Sequence, residues 1–197
     1  MKRGTAIRMG LLIIGFAFSQ LSNEAAGQAT AGWTMLFDSK DLNAFNTVGD
    51  ANWQVVDGVV QANKGSGFLV TKVPYGDFEF KAEFWVDDDA NSGVFIRCSN
   101  SQEITAANSY EVNIYDKRPD QAYRTGGIVD VAKPSSVINT GGKWNTYEIT
   151  ARGPRMIITL NGTRMVDVEH GGHARGPIAL QYGAGIVKFR NVQVRPL

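Results

Sequence analysis

The chain has 197 residues, and its 20 Lys and Arg against 19 Asp and Glu give a formal net charge of +1. A net charge this close to zero offers no electrostatic basis for binding nucleic acid or an anionic membrane surface. Cys98 is the single cysteine of the sequence, which excludes an intramolecular disulfide.

The N-terminal segment has the order of features found in secretory signal peptides. Three basic residues precede an apolar run over residues 9–18, and small residues follow near residue 29. Ser19 and Gln20 interrupt the run before it reaches the roughly 20 apolar residues of a membrane span, which argues against the alternative of a membrane anchor. We predict a signal peptide over residues 1–29 and a mature domain over residues 30–197, periplasmic or secreted by a bacterium, with no membrane span.

The remainder of the chain alternates short β-rich runs with turns of Gly, Asp, Asn and Pro, and no long stretch has helical periodicity. Asp57-Gly58 and Asn161-Gly162 are typical of tight hairpins. Two longer polar loops, over residues 102–108 and 116–126, are expected to border a site. We predict a single all-β domain of two packed antiparallel sheets, with strands over residues 33–38, 53–56, 59–63, 68–71, 77–86, 92–99, 110–115, 127–131, 144–151, 155–160, 163–169, 178–182 and 186–195.

The strand over residues 77–86 carries an aromatic residue in its polar register. Phe78, Phe80 and Phe84 alternate with charged residues and are expected to face a core, which leaves Trp85 on the other face. Trp85 is interpreted either as a rim residue packed under a loop or as a stacking platform for a sugar ring.

The strand around residue 95 has one apolar face and one mixed face. Val94, Ile96 and Cys98 alternate with Phe95 and Arg97, and successive side chains point to opposite faces of a strand. Cys98 is interpreted as a small buried residue, because reactive thiols are exposed near positive charge. Phe95 and Arg97 are then expected together on the opposite face.

The strand around residue 112 repeats this pattern. Val112 and Ile114 are expected to point inward, while Glu111, Asn113 and Tyr115 project outward together. Aromatic rings, an amide, a carboxylate and a guanidinium on one surface suit a polyhydroxylated ligand that has both C–H faces and hydroxyl groups. The sequence therefore predicts a carbohydrate-binding face rather than an ordinary solvated one.

A set of short motifs follows one order along the mature chain. They are Asn91-Ser92-Gly93-Val94-Phe95-Ile96-Arg97, Tyr110-Glu111-Val112-Asn113-Ile114-Tyr115-Asp116, and residues 36–38, 53–58, 77–80, 142–145, 160–162, 180–181 and 189–192. In this order they resemble the bacterial 3-keto-disaccharide hydrolase domain family over essentially the whole mature chain. The resemblance implies a concanavalin-like jelly-roll β-sandwich with a carbohydrate site on its concave sheet, and cleavage of glycosides already oxidised to a ketone at C3 of the sugar.

Cleavage of a 3-keto glycoside requires few catalytic groups. The ketone acidifies the C2 proton, so a general base removes it, an electrophilic group stabilises the enolate, and the anomeric substituent leaves by β-elimination before water adds. In residue type and face, Glu111 fits the acid or base and Arg97 the cation, and Asp116 at the strand end is a further candidate. The candidate carbohydrate-binding residues are Asn91, Asn113, Tyr115, Gln181 and Trp85.

Three alternatives stay open. A direct glycosidase needs two acids facing each other roughly 5 to 10 Å apart, and Glu83 and Glu111 are the pair that strand pairing could bring together. A non-catalytic, lectin-like carbohydrate-binding module needs no acid at all. A structural or adhesion domain of the cell envelope would use the same sandwich as a scaffold.

The chain departs from the family pattern because it lacks one histidine. Many members carry a His-Gly near the end of the strand that here reads Leu180-Gln181-Tyr182-Gly183, and this chain lacks that His. His170 and His173 have a spacing that suggests a metal pair, but they lie in a Gly-rich loop with no supporting ligand set, which favours a plain turn. We predict neither a cofactor nor metal ligands.

Overall fold

The computed structural model describes Met1 and residues 32–197. The signal peptide predicted over residues 1–29 therefore lies outside the described residues, apart from Met1. Among the residues described, no helix is long and apolar enough to cross a membrane. Two short 3-10 helices, Ala106–Asn108 and Gln121–Tyr123, accompany strands β1 Thr34–Phe37, β2 Phe45–Gly49, β3 Gln54–Val56, β4 Val59–Ala62, β5 Gly67–Thr71, β6 Phe78–Val86, β7 Asn91–Ile96, β8 Tyr110–Ile114, β9 Trp144–Arg152, β10 Arg155–Leu160, β11 Thr163–Glu169, β12 Ala179–Ala184 and β13 Val187–Pro196.

The strands form two antiparallel sheets that pack face to face. The eight-stranded sheet has the order β11-β10-β9-β6-β13-β4-β3, with β1 also paired to β13. The five-stranded sheet has the order β2-β5-β12-β7-β8. Most neighbours within each sheet are distant in the chain, which is the connectivity of a jelly roll. The all-β sandwich predicted from the sequence is therefore confirmed.

One apolar core fills the space between the sheets. From the larger sheet β6 contributes Phe78, Phe80 and Phe84, each 1% exposed or less. From the smaller sheet Val94 and Val112 are fully buried against the same cluster. Because alternate residues of each strand are used in this way, the other set of side chains forms the two outer faces of the sandwich.

The predicted hairpins form as their turn residues require. Asp57 and Asn161 have φ of 50° and 51°, and the glycines that follow have φ of 77° and 79°. Positive φ at both central residues is the geometry of a type I′ turn, whose twist matches that of the flanking strands. The turns join β3 to β4 and β10 to β11, and the second pair has a register shift between Ile158 and Thr159.

The strand prediction was wrong in two places, since it missed one strand and included one that does not form. β2, Phe45–Gly49, was not predicted, because its polar residues hide an edge strand that pairs with β5. The strand predicted over residues 127–131 does not form. Asp130 has φ of 59°, and the chain turns back there so that Ile128 pairs locally with Ala132 and makes one bridge to Val112.

Candidate functional site

The outer face of the five-stranded sheet carries most of the predicted site residues, and we call it the site face. Strand register places Gln181 of β12 opposite Gly93 of β7, and Gly93 opposite Asn113 of β8. In the adjacent row across the strands, Phe95 lies opposite Glu111. Since Val94 and Val112 face the core, alternation puts these neighbours on one outer surface.

Gly93 is a buried glycine that leaves a narrow space between these side chains. A Cβ added there would lie 3.3 Å from Phe95 Cε2, 3.3 Å from the Val112 carbonyl oxygen and 3.5 Å from Glu111 Cγ. A larger residue would therefore occupy the space between Glu111 and Phe95. Glycine lets the Phe95 ring and the Glu111 side chain pack closely against the backbone of β7 at this point.

Glu111 has the most perturbed environment on the site face. The residue is 9% exposed, and burial raises the pKa of its carboxyl to about 7 from 4.5. The positive charge of Arg118 opposes this rise in pKa, and the negative charge of Asp130 adds to it. A carboxyl with this pKa can accept or donate a proton at neutral pH, as acid–base catalysis requires.

Two amide oxygens on the site face are buried without a hydrogen-bond partner, namely Asn113 Oδ1 and Gln181 Oε1. Asn113 is fully buried, and its Nδ2 donates to the Tyr123 carbonyl at 2.5 Å, which fixes the orientation of the amide. A buried acceptor left unpaired costs about 1–3 kcal/mol. Gln181 is half-buried and lines a cleft, so a ligand that donates a hydroxyl group could satisfy its oxygen, whereas the Asn113 side chain is fully covered.

An apolar wall borders this polar area. The rings of Phe68 and Phe95 meet edge to face with centroids 5.2 Å apart. Ile104, from the loop between β7 and β8, packs on Phe95 in a small cluster that also contains Cys98. Ligand-binding faces commonly combine such an apolar surface with a few polar groups, and carbohydrates match that combination.

Asn91 and Tyr115 lie half-buried at the margin of the site face. A Cβ at Gly183 would lie 3.2 Å from Asn91 Nδ2, so the amide stands beside the irregular end of β12. Tyr115 directly follows β8 in the register of Asn113, and its backbone NH donates to Thr125 Oγ1 at 2.8 Å. Asn91 is two residues before Gly93 on β7, and Tyr115 is two residues after Asn113, so both lie next to the row that contains Gly93.

Arg97 does not reach the site face, and the register predicted for it was wrong. β7 ends at Ile96, and Arg97 has φ of 54°, which interrupts the alternation of side chains. Arg97 consequently turns inward, whereas Cys98 turns to the outer cluster under Ile104. The prediction that Cys98 is buried is confirmed, since it is 2% exposed.

The guanidinium of Arg97 is held inside the sandwich. It is 1% exposed and is hydrogen-bonded to four groups from three segments of the chain. Its partners are the carbonyls of Gly76 at 3.0 Å, Gly153 at 2.7 Å and His173 at 3.2 Å, and Asp77 Oδ1 at 3.1 Å. Arg97 thus fastens loops at one end of the sandwich.

Asp116 is likewise engaged by the loops around it. Its carboxylate accepts from Thr125 Oγ1 at 2.6 Å and from the Thr140 backbone NH at 2.5 Å. Arg124 Nη2 lies 3.6 Å away as an ion-pair partner. With both carboxylate oxygens bonded, Asp116 holds the long segment between β8 and β9 in place and does not project over Gly93.

Trp85 lies on the other sheet. It belongs to β6 of the eight-stranded sheet, pairs with Trp144 across the strands and has Lys188 Nζ 4.9 Å above its ring. The sandwich separates this surface from the site face. Trp85 is therefore not brought together with the other predicted sugar-binding residues.

The two histidines pack around the phenol of Tyr110. The Tyr110 hydroxyl donates to the His170 carbonyl at 2.8 Å, and the His173 backbone NH donates to the hydroxyl at 3.0 Å. Burial lowers the pKa of His173, and the neighbouring His170 lowers it further. Within residues 32–197 no three His, Cys, Asp or Glu side chains cluster as metal ligands.

The ordered motifs and this geometry agree with a match to a known family. The model of a 3-keto-alpha-glucoside-1,2-lyase-like domain matches residues 32–195. The chain belongs to this family. The match confirms the resemblance drawn from the motifs, and it covers nearly every described residue.

Several solved structures share the fold of this 3-keto-alpha-glucoside-1,2-lyase-like domain. Two candidate glycosyl hydrolases from Parabacteroides distasonis ATCC 8503 align with TM-scores of 0.75 and 0.72 at 21% and 25% identity, over 84% of this chain and 94% and 99% of theirs. Carbohydrate-binding module CBM66 from Bacillus subtilis aligns with a TM-score of 0.63 at 18% identity, over 77% of this chain and 95% of that one. A comparison with curated proteins finds no match.

Two residues near Glu111 were missed by sequence reasoning. Arg118 and Asp130 both influence its pKa, and Arg118 Nε is buried without a partner. Both belong to the segment between β8 and β9, which hydrogen-bonds along the edge of β8 through Gly127 and Val129. The polar composition of residues 116–126 gave a general signal for Arg118, but no sequence signal pointed to Asp130.

Proposed function

We propose that this protein is an exported carbohydrate-active enzyme that cleaves 3-keto-glycosides by β-elimination, with Glu111 as general base. The observation that carries the proposal is the buried Glu111 carboxyl, whose pKa is raised to about 7 beside two unpaired amide oxygens. Family membership and the candidate glycosyl hydrolase at 25% identity support a glycoside as substrate.

The reaction needs one proton acceptor placed over the sugar ring. Ionised Glu111 removes the C2 proton, and the electrons of that C–H bond form an enolate with the C3 ketone. The enolate then expels the substituent at C1, so that the C1–O bond breaks and a C1–C2 double bond forms. Protonated Glu111 has a suitable pKa to return its proton to the departing oxygen. Water adds to the double bond afterwards where the overall result is hydrolysis.

Arg118 takes the role of enolate-stabilising cation that the sequence assigned to Arg97. Its charge acts on Glu111, whereas the guanidinium of Arg97 is occupied inside the sandwich. A cation aimed at a developing enolate oxygen stabilises the transition state more than the ground state. Arg118 Nε, which is buried without a partner, supports this assignment.

The sugar hydroxyls would be bound by the amides around Gly93. Gln181 Oε1 accepts from a hydroxyl group, and Asn91 and Tyr115 approach from the margin. The neighbouring Asn113 amide is held in place, because its Nδ2 is bonded to Tyr123. Such fixed groups lower the entropy cost of orienting the ring over Glu111.

A non-catalytic carbohydrate-binding module is the second candidate. The unpaired Gln181 oxygen and the Phe68–Phe95 wall would be sufficient to bind a sugar without any chemistry. The two candidates differ at Glu111, whose raised pKa serves a proton transfer and gives no advantage to simple binding.

Turnover of oxidised and unoxidised glycosides tests the proposal. We expect purified protein to release the aglycone from 3-keto-glucosides but not from the parent glucosides, with and without chelator. Glu111→Gln should lower kcat at least a hundredfold, because general bases contribute about 10² to 10⁴. Glu169→Gln, an exposed glutamate on β11, is the matched control and should keep full activity.

A variant of Asp130 distinguishes elimination from a two-carboxylate hydrolysis mechanism. Asp130→Asn removes the second acid that acts on Glu111 and suits its φ of 59°. Elimination predicts retained turnover with a lower Glu111 pKa, whereas a two-carboxylate mechanism predicts loss of turnover. Sugar binding with no release from any substrate would instead favour the binding module.

A further inference from the structure

A cleft of about 410 Å³ lies on the outer face of the eight-stranded sheet, on the opposite side of the sandwich from Glu111. We call it the outer cleft. Its volume is within the range of ligand pockets, about 300–1,000 Å³. Strands β6, β9, β10 and β13 and the residue before β1 contribute to it. The polar side chains that line it are Glu79, Lys81, Glu148, Thr150, Thr159 and Gln193.

The outer cleft is open to solvent and runs across the strands. Phe80 and Ile149 are each 1% exposed and face the core, so the polar side chains beside them point outward, where all six are half-buried or exposed. Strand register aligns four of them in one row, in the order Thr159, Glu148, Lys81 and Gln193. Neighbouring strands lie about 4.8 Å apart, so this row spans about 14 Å. That length exceeds one sugar ring and suits a chain molecule.

Trp33 forms the wall of the outer cleft at the end next to β1. The Arg195 guanidinium lies 5.1 Å from the centre of the Trp33 ring, and Arg195 Nη2 donates to Glu79 Oε2. A Cβ at Gly32 would lie 3.2 Å from Arg195 Cδ, so the chain before Trp33 also packs on this side chain. Because these contacts hold the indole in place, a ring that packs on it causes little further loss of side-chain entropy.

The charged groups of the outer cleft are paired with neighbouring side chains. Lys81 Nζ lies 2.7 Å from Glu148 Oε1, and Glu79 is paired with Arg195. A charged polymer would have to compete with these pairs, whereas hydroxyl groups can donate to the remaining lone pairs of the carboxylates. The threonine hydroxyls and the glutamine amide of the cleft both donate and accept. The outer cleft therefore matches a neutral, polyhydroxylated chain.

We propose that the outer cleft is a docking site for a neutral polysaccharide, separate from the chemistry at Glu111. Trp33 packs against the C–H face of one sugar unit, and the row from Thr159 to Gln193 binds the hydroxyl groups of the units that follow. Because the sandwich separates the two outer faces, a polymer in this cleft leaves the site face free. The docking site would hold the protein on a glycan surface.

Affinity electrophoresis in native gels tests the docking site. The gels contain laminarin, galactomannan or dextran, with polygalacturonate as the charged polymer. We expect at least one neutral polysaccharide to retard the wild-type protein and polygalacturonate to leave its mobility unchanged. Trp33→Ala should weaken the affinity about tenfold or more, because an aromatic anchor is lost. Trp85→Ala is the matched control, since Trp85 lies on the same sheet about 20 Å along β6 from Glu79, and it should be retarded like wild type.

A second variant tests the cleft without changing the indole. Thr150 is half-buried on the outer face opposite Glu79, so Thr150→Arg fills the cleft and leaves the core unchanged. We expect this variant to lose retardation. Glu111→Gln should be retarded like wild type, because the site face does not contact the polymer. Polysaccharide docking therefore does not depend on the proposed catalytic function, and either one can fail alone.

Four results would overturn the docking site. Wild-type protein that no neutral polysaccharide retards, or that polygalacturonate retards equally, contradicts the proposed ligand. Unchanged retardation of both Trp33→Ala and Thr150→Arg shows that the polymer does not occupy the outer cleft. Loss of retardation in Glu111→Gln would place the polymer on the site face. Circular dichroism melts establish which variants are folded, and a variant that does not fold is replaced in the comparison by the other.

Discussion

The two outer faces of the sandwich carry similar residue types in opposite states. On the eight-stranded sheet Glu83 Oε2 lies 2.6 Å from Arg190 Nη2, and the Arg190 guanidinium stacks 3.9 Å from the ring centre of Trp144. On the site face the Glu111 carboxyl and the two amide oxygens remain without such partners. The difference shows that the two faces are distinguished by the partners of their polar groups rather than by their residue types.

The pKa values follow the same division. Burial alone would raise the pKa of Glu83, but hydrogen bonds from Asn191 and Arg190 lower it overall. Burial dominates at Glu111 and raises the pKa there to about 7. One glutamate is stabilised as a carboxylate, while the other is held in a state that costs folding free energy at neutral pH.

Removing Arg97 should give the largest effect on stability. In Arg97→Ala three carbonyls and the Asp77 carboxylate lose their donor, and we expect the free energy of unfolding to fall by about 3–5 kcal/mol. Urea denaturation measures this change. Arg155→Ala, which breaks a solvent-screened pair with Asp167, is the control and should change the free energy of unfolding far less. If Arg97→Ala loses turnover but keeps its stability, Arg97 acts in catalysis and its structural role is contradicted.

The stability of Glu111→Gln should depend on pH. Because the folded-state pKa is above the unfolded value of 4.5, the contribution of Glu111 to stability is fully present below pH 4.5 and is lost as pH rises through about 7. Gln does not ionise, so at pH 8 the variant should be more stable by about 3 kcal/mol, and the difference should vanish near pH 4. Unfolding curves at both pH values measure it.

The change in stability at neutral pH should have the opposite sign for the glutamate on the eight-stranded sheet. Glu83→Gln removes a carboxylate whose pKa is lowered, so this variant should lose stability at neutral pH and regain parity as pH falls through the Glu83 pKa. The same dependence in both variants would contradict the contrast between the faces.

Gln181→Ala should separate ligand binding from folding. The variant removes an acceptor that has no partner in the protein, so stability should stay within about 1 kcal/mol of wild type. Affinity for a 3-keto-glycoside should fall about tenfold, because a hydroxyl loses its acceptor. Calorimetry measures both quantities. A large loss of stability with unchanged affinity would make Gln181 structural.

Trp85→Ala should have the smallest effect on ligand binding. Its ring contacts Lys188 on the eight-stranded sheet, so sugar affinity should remain within about twofold of wild type. The cost should appear in stability, at about 1 kcal/mol for a lost cation–π contact. Titration with a 3-keto-glycoside checks this expectation, and a tenfold loss of affinity would place a sugar on the opposite face.

Alternation of side chains was enough to predict the sandwich and the outer-face positions of several candidate site residues. Val94 and Val112 fix which side of β7 and β8 faces the core, so Glu111 and Asn113 follow on the outer side. The hairpins were readable because Asn-Gly and Asp-Gly tolerate the positive φ that a two-residue turn requires. Local rules therefore succeeded wherever local geometry decided the result.

The rest depended on long-range structure. A positive φ at Arg97 carries no mark in the sequence, and the carbonyls that bind its guanidinium come from distant loops. Alternation gave the face of Trp85 within its strand but not the sheet to which the strand belongs. Arg118 and Asp130 act on Glu111 through a segment whose path no periodicity describes.

The loop over Phe95 also makes the single thiol a reporter. Cys98 lies under Ile104, and burial raises its pKa to about 12, so an alkylating reagent meets neither an accessible nor an ionised sulfur while the loop is seated. Modification of the sulfur then requires the loop that carries Ile104 to move away from Phe95. The rate of Cys98 labelling therefore measures how often this loop moves away. If a bound glycoside slows the labelling, the decrease measures how strongly the ligand stabilises the loop in its packed position.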